Sequence, residues 1–187
     1  TLTIDEITKI TDWISNGTPI GDTLLLPPMP TFSNTSQFGT PDLELQMPTY
    51  SSTASANSDD YVCFSIPTGL TTNKKIRAIE IIPGNPQIVH HVLLSIDISP
   101  SSSVTTTTNC MGPTGKMIYV YAPGSVPLEY PQDINSIFGV ELAANSSISL
   151  GMHYPEGSFG QLDSTKVRFY FYPDTTNIRQ ISTDFLI

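Results

Sequence analysis

From Leu43 onward, apolar residues occur in short runs that are separated by clusters of turn-forming residues. Some runs alternate between apolar and polar side chains, as in the stretch 166–172, which reads KVRFYFY. Alternation with a period of two is typical of β-strands with one buried face. Nine short stretches without helical patterns between them predict an all-β fold, an antiparallel, jelly-roll-like sandwich of two sheets. The predicted strands are 43–47, 61–66, 75–82, 88–97, 117–121, 138–144, 147–154, 166–172 and 178–186.

Residues 3–16 carry the one convincing helical pattern of the sequence. Thr3 and Glu6 fit a capping box, in which each side chain accepts a hydrogen bond from the backbone N–H of the other residue. The apolar residues recur at helical spacing and form a stripe on one face, which we interpret as a packing face. This stripe consists of Ile7, Ile10, Trp13 and Ile14.

The segment after the predicted helix, residues 18–42, is rich in proline and has no hydrophobic periodicity. Both properties are typical of a linker or of an extended chain that lies along another surface. We therefore predict three parts in chain order, which are a helix in residues 1–17, an extended linker in 18–42 and a β-sandwich domain in 43–187.

The composition narrows the classes of partner. The net charge is −9 and the few lysines and arginines are dispersed, which argues against nucleic acids and anionic membranes as partners. No apolar run approaches the length of a membrane span, and no signal-peptide pattern opens the sequence. Because the first residue is Thr1 rather than Met, we expect that a leader or a larger preceding region is missing from this sequence.

The three histidines of the chain fall in two predicted strands, and two of them are adjacent. His90 and His91 lie in IVHHVLLSID, and His153 lies in ISLGMHYP. An imidazole among aliphatic side chains needs partners for its ring nitrogens, and copper or zinc is one such partner. Since neighbours on a regular strand point to opposite faces, the adjacent pair can share a metal only at a twist, a bulge or a sheet edge. Alternatively, backbone carbonyls or water satisfy these rings.

The sequence contains two cysteines, Cys63 in the predicted strand 61–66 and Cys110 in a long polar loop, 99–116. An even number of cysteines in a weakly charged chain rich in serine and threonine favours a disulfide in a secreted or periplasmic protein. Two buried thiols in a reducing compartment are the alternative. A bridge between Cys63 and Cys110 would tie the loop to the strand.

The string PGNPQIVHHVLLSID, with YVCFSIP before it and SISLGMHYPEG after it, resembles the first copper domain of the type II, ascorbate-dependent copper monooxygenases. This family includes peptidylglycine- and dopamine-hydroxylating enzymes and many bacterial relatives. The resemblance covers residues 40–173 and implies that His90, His91 and His153 bind one copper ion. In the family, this copper passes electrons to a second copper, which a second domain holds with two histidines and a methionine. A cysteine in the Y-x-C context of Cys63 is also a family feature.

Two features depart from the family pattern. The sequence ends before a second domain and has no further histidines for a second copper site. Its start, LTIDEITKITDWISNGTPIGD, resembles the final helix of a c-type cytochrome domain, but the CxxCH haem-attachment motif is absent. We therefore expect the electron-transfer half of a monooxygenase-like oxidoreductase. Its expected partners are a small reductant such as ascorbate and a second copper domain or cytochrome c-like domain of the same polypeptide.

Two other functions fit the same residues. Three imidazoles with an open position also suit a zinc hydrolase or hydratase, for which Glu156 is the nearest candidate base. The sequence YPEG around Glu156 is equally that of an ordinary turn. The Ser/Thr-rich loops and acidic surface also fit a secreted, non-enzymatic β-sandwich interaction module with a vestigial metal site.

Overall fold

The computed structural model describes residues 2–25, 36–99 and 103–182. The chain divides into two compact units, Thr1–Asn34 and Thr35–Ile187, and the division falls inside the predicted linker 18–42. Parts of that linker, of the predicted loop 99–116 and of the predicted strand 178–186 lie outside the described residues.

The first unit contains the predicted helix, α1, which spans Ile4–Ser15 and has Thr3 as its N-cap. The predicted capping box is present, since the Glu6 carboxylate accepts a hydrogen bond from the Thr3 N–H at 2.7 Å and the Glu6 N–H donates to the Thr3 hydroxyl at 3.3 Å. The apolar stripe of α1 lies on the surface, with 45–58 % of each side chain exposed. A short 3₁₀ helix, Thr23–Leu25, follows. In the described ranges, no helix has the length and apolar character that crossing a membrane requires.

The second unit consists of β-strands. Eight of the nine predicted stretches coincide with an observed strand along most of their length, and the ninth, 178–186, contains a strand of two residues. The strands of the described residues are β1 (Leu43–Gln46), β2 (Tyr50–Ser51), β3 (Asp60–Pro67), β4 (Lys74–Ile82), β5 (His91–Asp97), β6 (Thr105–Thr108), β7 (Lys116–Tyr121), β8 (Leu128–Glu129), β9 (Phe138–Leu142), β10 (Ser147–Tyr154), β11 (Leu162–Asp163), β12 (Lys166–Phe171) and β13 (Arg179–Gln180).

These strands form two large sheets and one small one. The first sheet has the order β1-β12-β4-β9-β13, with β8 paired to β4, and the second has the order β6-β3-β10-β5-β7. Strands β11 and β2 form the small sheet. All pairs are antiparallel except β13 with β9. Both large sheets contribute fully buried apolar side chains to the core, such as Ile79 and Phe169 from the first and Leu150 and Met152 from the second. The predicted all-β sandwich with one N-terminal helix is confirmed.

Four short strands, β2, β6, β8 and β11, are absent from the sequence-based prediction. Strand β6 lies in the segment 99–116, for which the composition predicts a loop, and all four of its threonines are exposed. No hydrophobic alternation marks such a strand. It forms because its backbone pairs with β3 along the residues Val62–Ser65.

Candidate metal centre

Two of the three histidines meet on the outer face of the five-stranded sheet. The even-numbered residues of its central strand, β10, fill the apolar core, so the odd-numbered residues, which are also buried, lie on the opposite, outer face of the sheet. In the register of this sheet, His153 on β10 lies opposite Tyr61 on β3 and opposite His91 on β5. Directly opposed residues of antiparallel strands share one face of the sheet. Tyr61, His153 and His91 therefore form a row across three strands.

His90 reaches this row from the turn that precedes β5. The two N–H groups before His90 both donate to the carbonyl of Asn85 at 3.2 Å, and the N–H of His90 donates to the carbonyl of His153 at 3.0 Å. Regular strand geometry begins only at His91, so the predicted strand 88–97 extends three residues too far at its start. Since His90 lies outside the regular strand, the alternation of side chains does not send it to the opposite face.

The Nδ1 atoms of the three rings converge. The Nδ1 atom of His91 lies 3.2 Å from that of His90 and 3.1 Å from that of His153. One ligand nitrogen from each ring lies within 4.8 Å of the other two. Two nitrogens that bind one tetrahedral ion at about 2.0–2.1 Å are roughly 3.3–3.4 Å apart, which is close to the spacing of both contacts. The cluster can therefore hold a metal ion.

The surroundings of His91 favour a neutral imidazole. Burial, together with the nearby rings of His153 and His90, lowers the pKa of His91. A neutral imidazole has the free lone pair that a metal ligand needs. The ring of His153 is buried, that of His91 is half-buried and that of His90 is exposed. The cluster is therefore open to solvent on the side of His90.

Two residues that no sequence pattern marks, Asp59 and Tyr61, complete the surroundings of His153. The Asp59 Oδ2 atom lies 2.8 Å from the His153 Nε2 atom, on the side of the ring away from the cluster. The hydrogen bond with His153 lowers the pKa of Asp59. The ring of Tyr61 stacks on that of His153, with the centroids 4.4 Å apart and the planes at 10°. No acidic residue adjoins the histidines in sequence, and this carboxylate comes from a segment 94 residues away.

The predicted disulfide between Cys63 and Cys110 is confirmed, with 5.6 Å between the two Cα atoms. Cys63 lies two residues after Tyr61 on β3 and therefore on the same outer face, opposite Gly151 of β10. The N–H of Cys110 donates to the carbonyl of Tyr61 at 3.1 Å. The bridge and this hydrogen bond hold the loop that contains Cys110 against β3, beside the row of aromatic rings.

The same loop packs on Gly151, where any side chain would meet the ring of Pro113. A Cβ atom at Gly151 would lie 2.8 Å from the Pro113 Cδ atom, which is closer than real contacts allow. We expect Gly151→Ala to lower the free energy of unfolding by about 1–3 kcal/mol, a typical effect of overpacking. Urea unfolding of Gly151→Ala and of the double variant Gly151→Ala/Pro113→Ala tests this, because the second substitution restores the space. Equal stability of wild type and Gly151→Ala would contradict the expected clash.

Two further features lie outside the histidine cluster. Glu156 lies in an exposed turn, and its backbone N–H donates to the Asp59 Oδ1 atom at 2.9 Å. A cavity of about 440 Å³ is lined by Lys74 of β4, Phe171 of β12 and residues of the adjoining loops, and by none of the histidines. The cavity therefore lies at the first sheet, whereas the histidine cluster lies on the second sheet.

The described residues define a β-sandwich with a three-histidine cluster on the outer face of one sheet and a disulfide beside it. No protein-family model, curated protein or solved structure matches the chain. The function is therefore inferred from the geometry of the cluster and from the residues that carry the sequence resemblance.

Proposed function

We propose that the chain is the copper-binding, electron-transfer part of a copper-dependent monooxygenase-like oxidoreductase. The observation that carries the proposal is the convergence of three imidazole Nδ1 atoms, with contacts of 3.1 and 3.2 Å, at a solvent-accessible position. The resemblance to type II copper monooxygenases supports it, because it assigns the same three histidines as ligands of the electron-transfer copper. Imidazole is also a good ligand for copper.

His91 and His90 have different roles in the proposed site. Copper bound there would supply one-electron chemistry between its Cu(I) and Cu(II) states. His91 stands at the centre of the cluster, since its Nδ1 contacts both other rings. The exposed ring of His90 marks the side from which a small reductant such as ascorbate would approach. The cluster uses all three histidines of the sequence, so we expect this chain, when it acts alone, to store and pass electrons without hydroxylating a substrate.

The proposed environment and partners follow from the same residues. A disulfide between Cys63 and Cys110 persists in an oxidising compartment, which supports a secreted or periplasmic location. The electrons stored by the site would pass to or from a second copper domain or a cytochrome c-like domain of the same polypeptide. This partner assignment rests on the sequence resemblance alone.

Metal titration of the purified chain tests the proposed function. We expect metal-free protein to bind one Cu(II) per chain and to give a paramagnetic resonance spectrum with nitrogen hyperfine structure. Ascorbate should abolish this signal, and an oxidant should restore it, without hydroxylation of a glycine-extended test peptide. Preferential retention of zinc with hydrolase activity would favour the zinc enzyme instead. Failure to bind either metal would favour the interaction module.

A further inference from the structure

The carboxylate of Asp59 is held in one orientation just before β3. Its Oδ1 atom accepts a hydrogen bond from the backbone N–H of Glu156 at 2.9 Å. Its Oδ2 atom lies 2.8 Å from the His153 Nε2 atom and 3.4 Å from the Tyr61 hydroxyl. Since a backbone group fixes one carboxylate oxygen, the other is aimed at the imidazole of His153. The exposed fraction of the Asp59 side chain is 33 %.

This contact decides which nitrogen of His153 is protonated. An ionised carboxylate can only accept hydrogen bonds, so the Nε2 atom that faces Asp59 must carry the ring proton. The proton is then absent from Nδ1, whose lone pair points towards the Nδ1 atom of His91 at 3.1 Å. We propose that Asp59 is a positioning residue that selects the Nε2–H tautomer of His153 and thereby presents Nδ1 as a metal ligand. Its consequence for copper rests on the proposed function.

The surroundings of His153 leave its ring little freedom to change orientation. The ring is buried, and Tyr61 covers one of its faces in a nearly parallel stack. A 180° flip of the ring would put Cδ2 and Cε1 in the places of Nδ1 and Nε2, so it would break both the hydrogen bond with Asp59 and the convergence of the cluster. Hydrogen bonds from metal-ligating histidines to carboxylates fix the tautomer and orientation in this way in many metal sites.

The variant Asp59→Asn separates this role from simple packing, because it keeps the shape and removes the charge. The N–H of Glu156 requires the amide oxygen at the Oδ1 position, so the amide NH₂ group would face His153. That NH₂ group is a donor and needs a lone pair on Nε2, which moves the ring proton to Nδ1 and blocks the metal position. We expect copper affinity to fall by roughly 10–100-fold, the usual effect of losing such a partner.

Asp60→Asn is the matched control, since it makes the same substitution one residue along the chain. The Asp60 carboxylate accepts hydrogen bonds from the Tyr50 hydroxyl at 3.0 Å and the Thr53 N–H at 2.7 Å. These contacts hold a buried corner of the fold together and involve no histidine. We expect Asp60→Asn to lower stability while leaving the tautomer of His153 and the copper affinity unchanged.

Nitrogen NMR of the metal-free proteins at pH about 8 reads the tautomer directly. The ring-nitrogen signals of His153 are assigned as those that disappear in the variant His153→Gln. We expect Nε2–H in wild type and in Asp60→Asn, and Nδ1–H in Asp59→Asn, accompanied by the loss of copper affinity. A wild-type His153 with its proton on Nδ1, or an Asp59→Asn variant with an unchanged tautomer, would overturn the role of Asp59. Failure of wild type to bind copper would refute the proposed function instead, and the tautomer spectra would still decide the role of Asp59.

Discussion

Replacing His91 with alanine is expected to abolish stoichiometric copper binding. The Nδ1 atom of His91 is the centre of the cluster, with contacts of 3.2 and 3.1 Å to the other two rings. Its removal leaves two imidazoles, and we expect the loss of affinity to exceed the roughly 10–100-fold that follows removal of an outer hydrogen-bond partner. Competition with a chelator of known copper affinity measures the change.

The fold of the His91→Ala variant should survive, because the side chain lies half-buried on the outer face rather than in the core. We expect the free energy of unfolding of the metal-free variant to stay within about 1 kcal/mol of wild type. Gln87→Ala, in the exposed turn before β5, is a control that alters the same region without removing a ring. Copper binding by His91→Ala with wild-type affinity would refute the assignment of the site.

Strand prediction succeeded where the local sequence shows which face of the strand packs on the apolar core. The predicted strand 147–154 has the same bounds as β10, whose core side holds Ile148, Leu150 and Met152. Its outer side holds small and polar residues, so a period of two is visible in the sequence. Strand β6 has no such pattern, because its threonines are alike on both faces and exposed. Pairing with β3 makes it a strand, and pairing between distant segments leaves no local trace.

The residues of the cluster could be predicted from the sequence, whereas the local backbone geometry that brings them together could not. Histidine is scarce in this chain, and its placement among aliphatic residues identifies His90, His91 and His153. Alternation along a strand would have sent His90 and His91 to opposite faces. The turn at Asn85 removes this obstacle, and the register of β10 with β5 aligns His153 with a residue 62 positions away. Both depend on hydrogen bonds between segments that are distant in sequence.

The contact between Asp59 and His153 could not be predicted from the sequence either. Asp59 and Asp60 are adjacent and chemically identical, and nothing in the sequence distinguishes them. In the structure, Asp60 binds Tyr50 and Thr53, and only Asp59 contacts His153. The start of β3 between them determines the difference, since Asp60 already belongs to the strand and Asp59 does not.

Removing the disulfide is expected to have the largest effect on stability. The bridge joins cysteines 47 residues apart, and the loss of such a constraint on the unfolded chain is worth about 4 kcal/mol. We therefore expect the Cys63→Ala/Cys110→Ala variant to unfold at a temperature lower by about 10 °C, since each kcal/mol corresponds to about 2–4 °C in a chain of this size. Thermal unfolding of the metal-free proteins measures this shift.

The same variant should bind copper more weakly than wild type, although less weakly than His91→Ala. The bridge holds the loop whose Cys110 N–H donates to the Tyr61 carbonyl, and Tyr61 in turn stacks on His153. A reductant provides the control, because it should destabilise wild type by a similar amount and leave the cysteine-free variant unchanged. If reduced wild type and the variant both kept wild-type stability and copper affinity, the bridge would have no part in holding the loop beside the cluster.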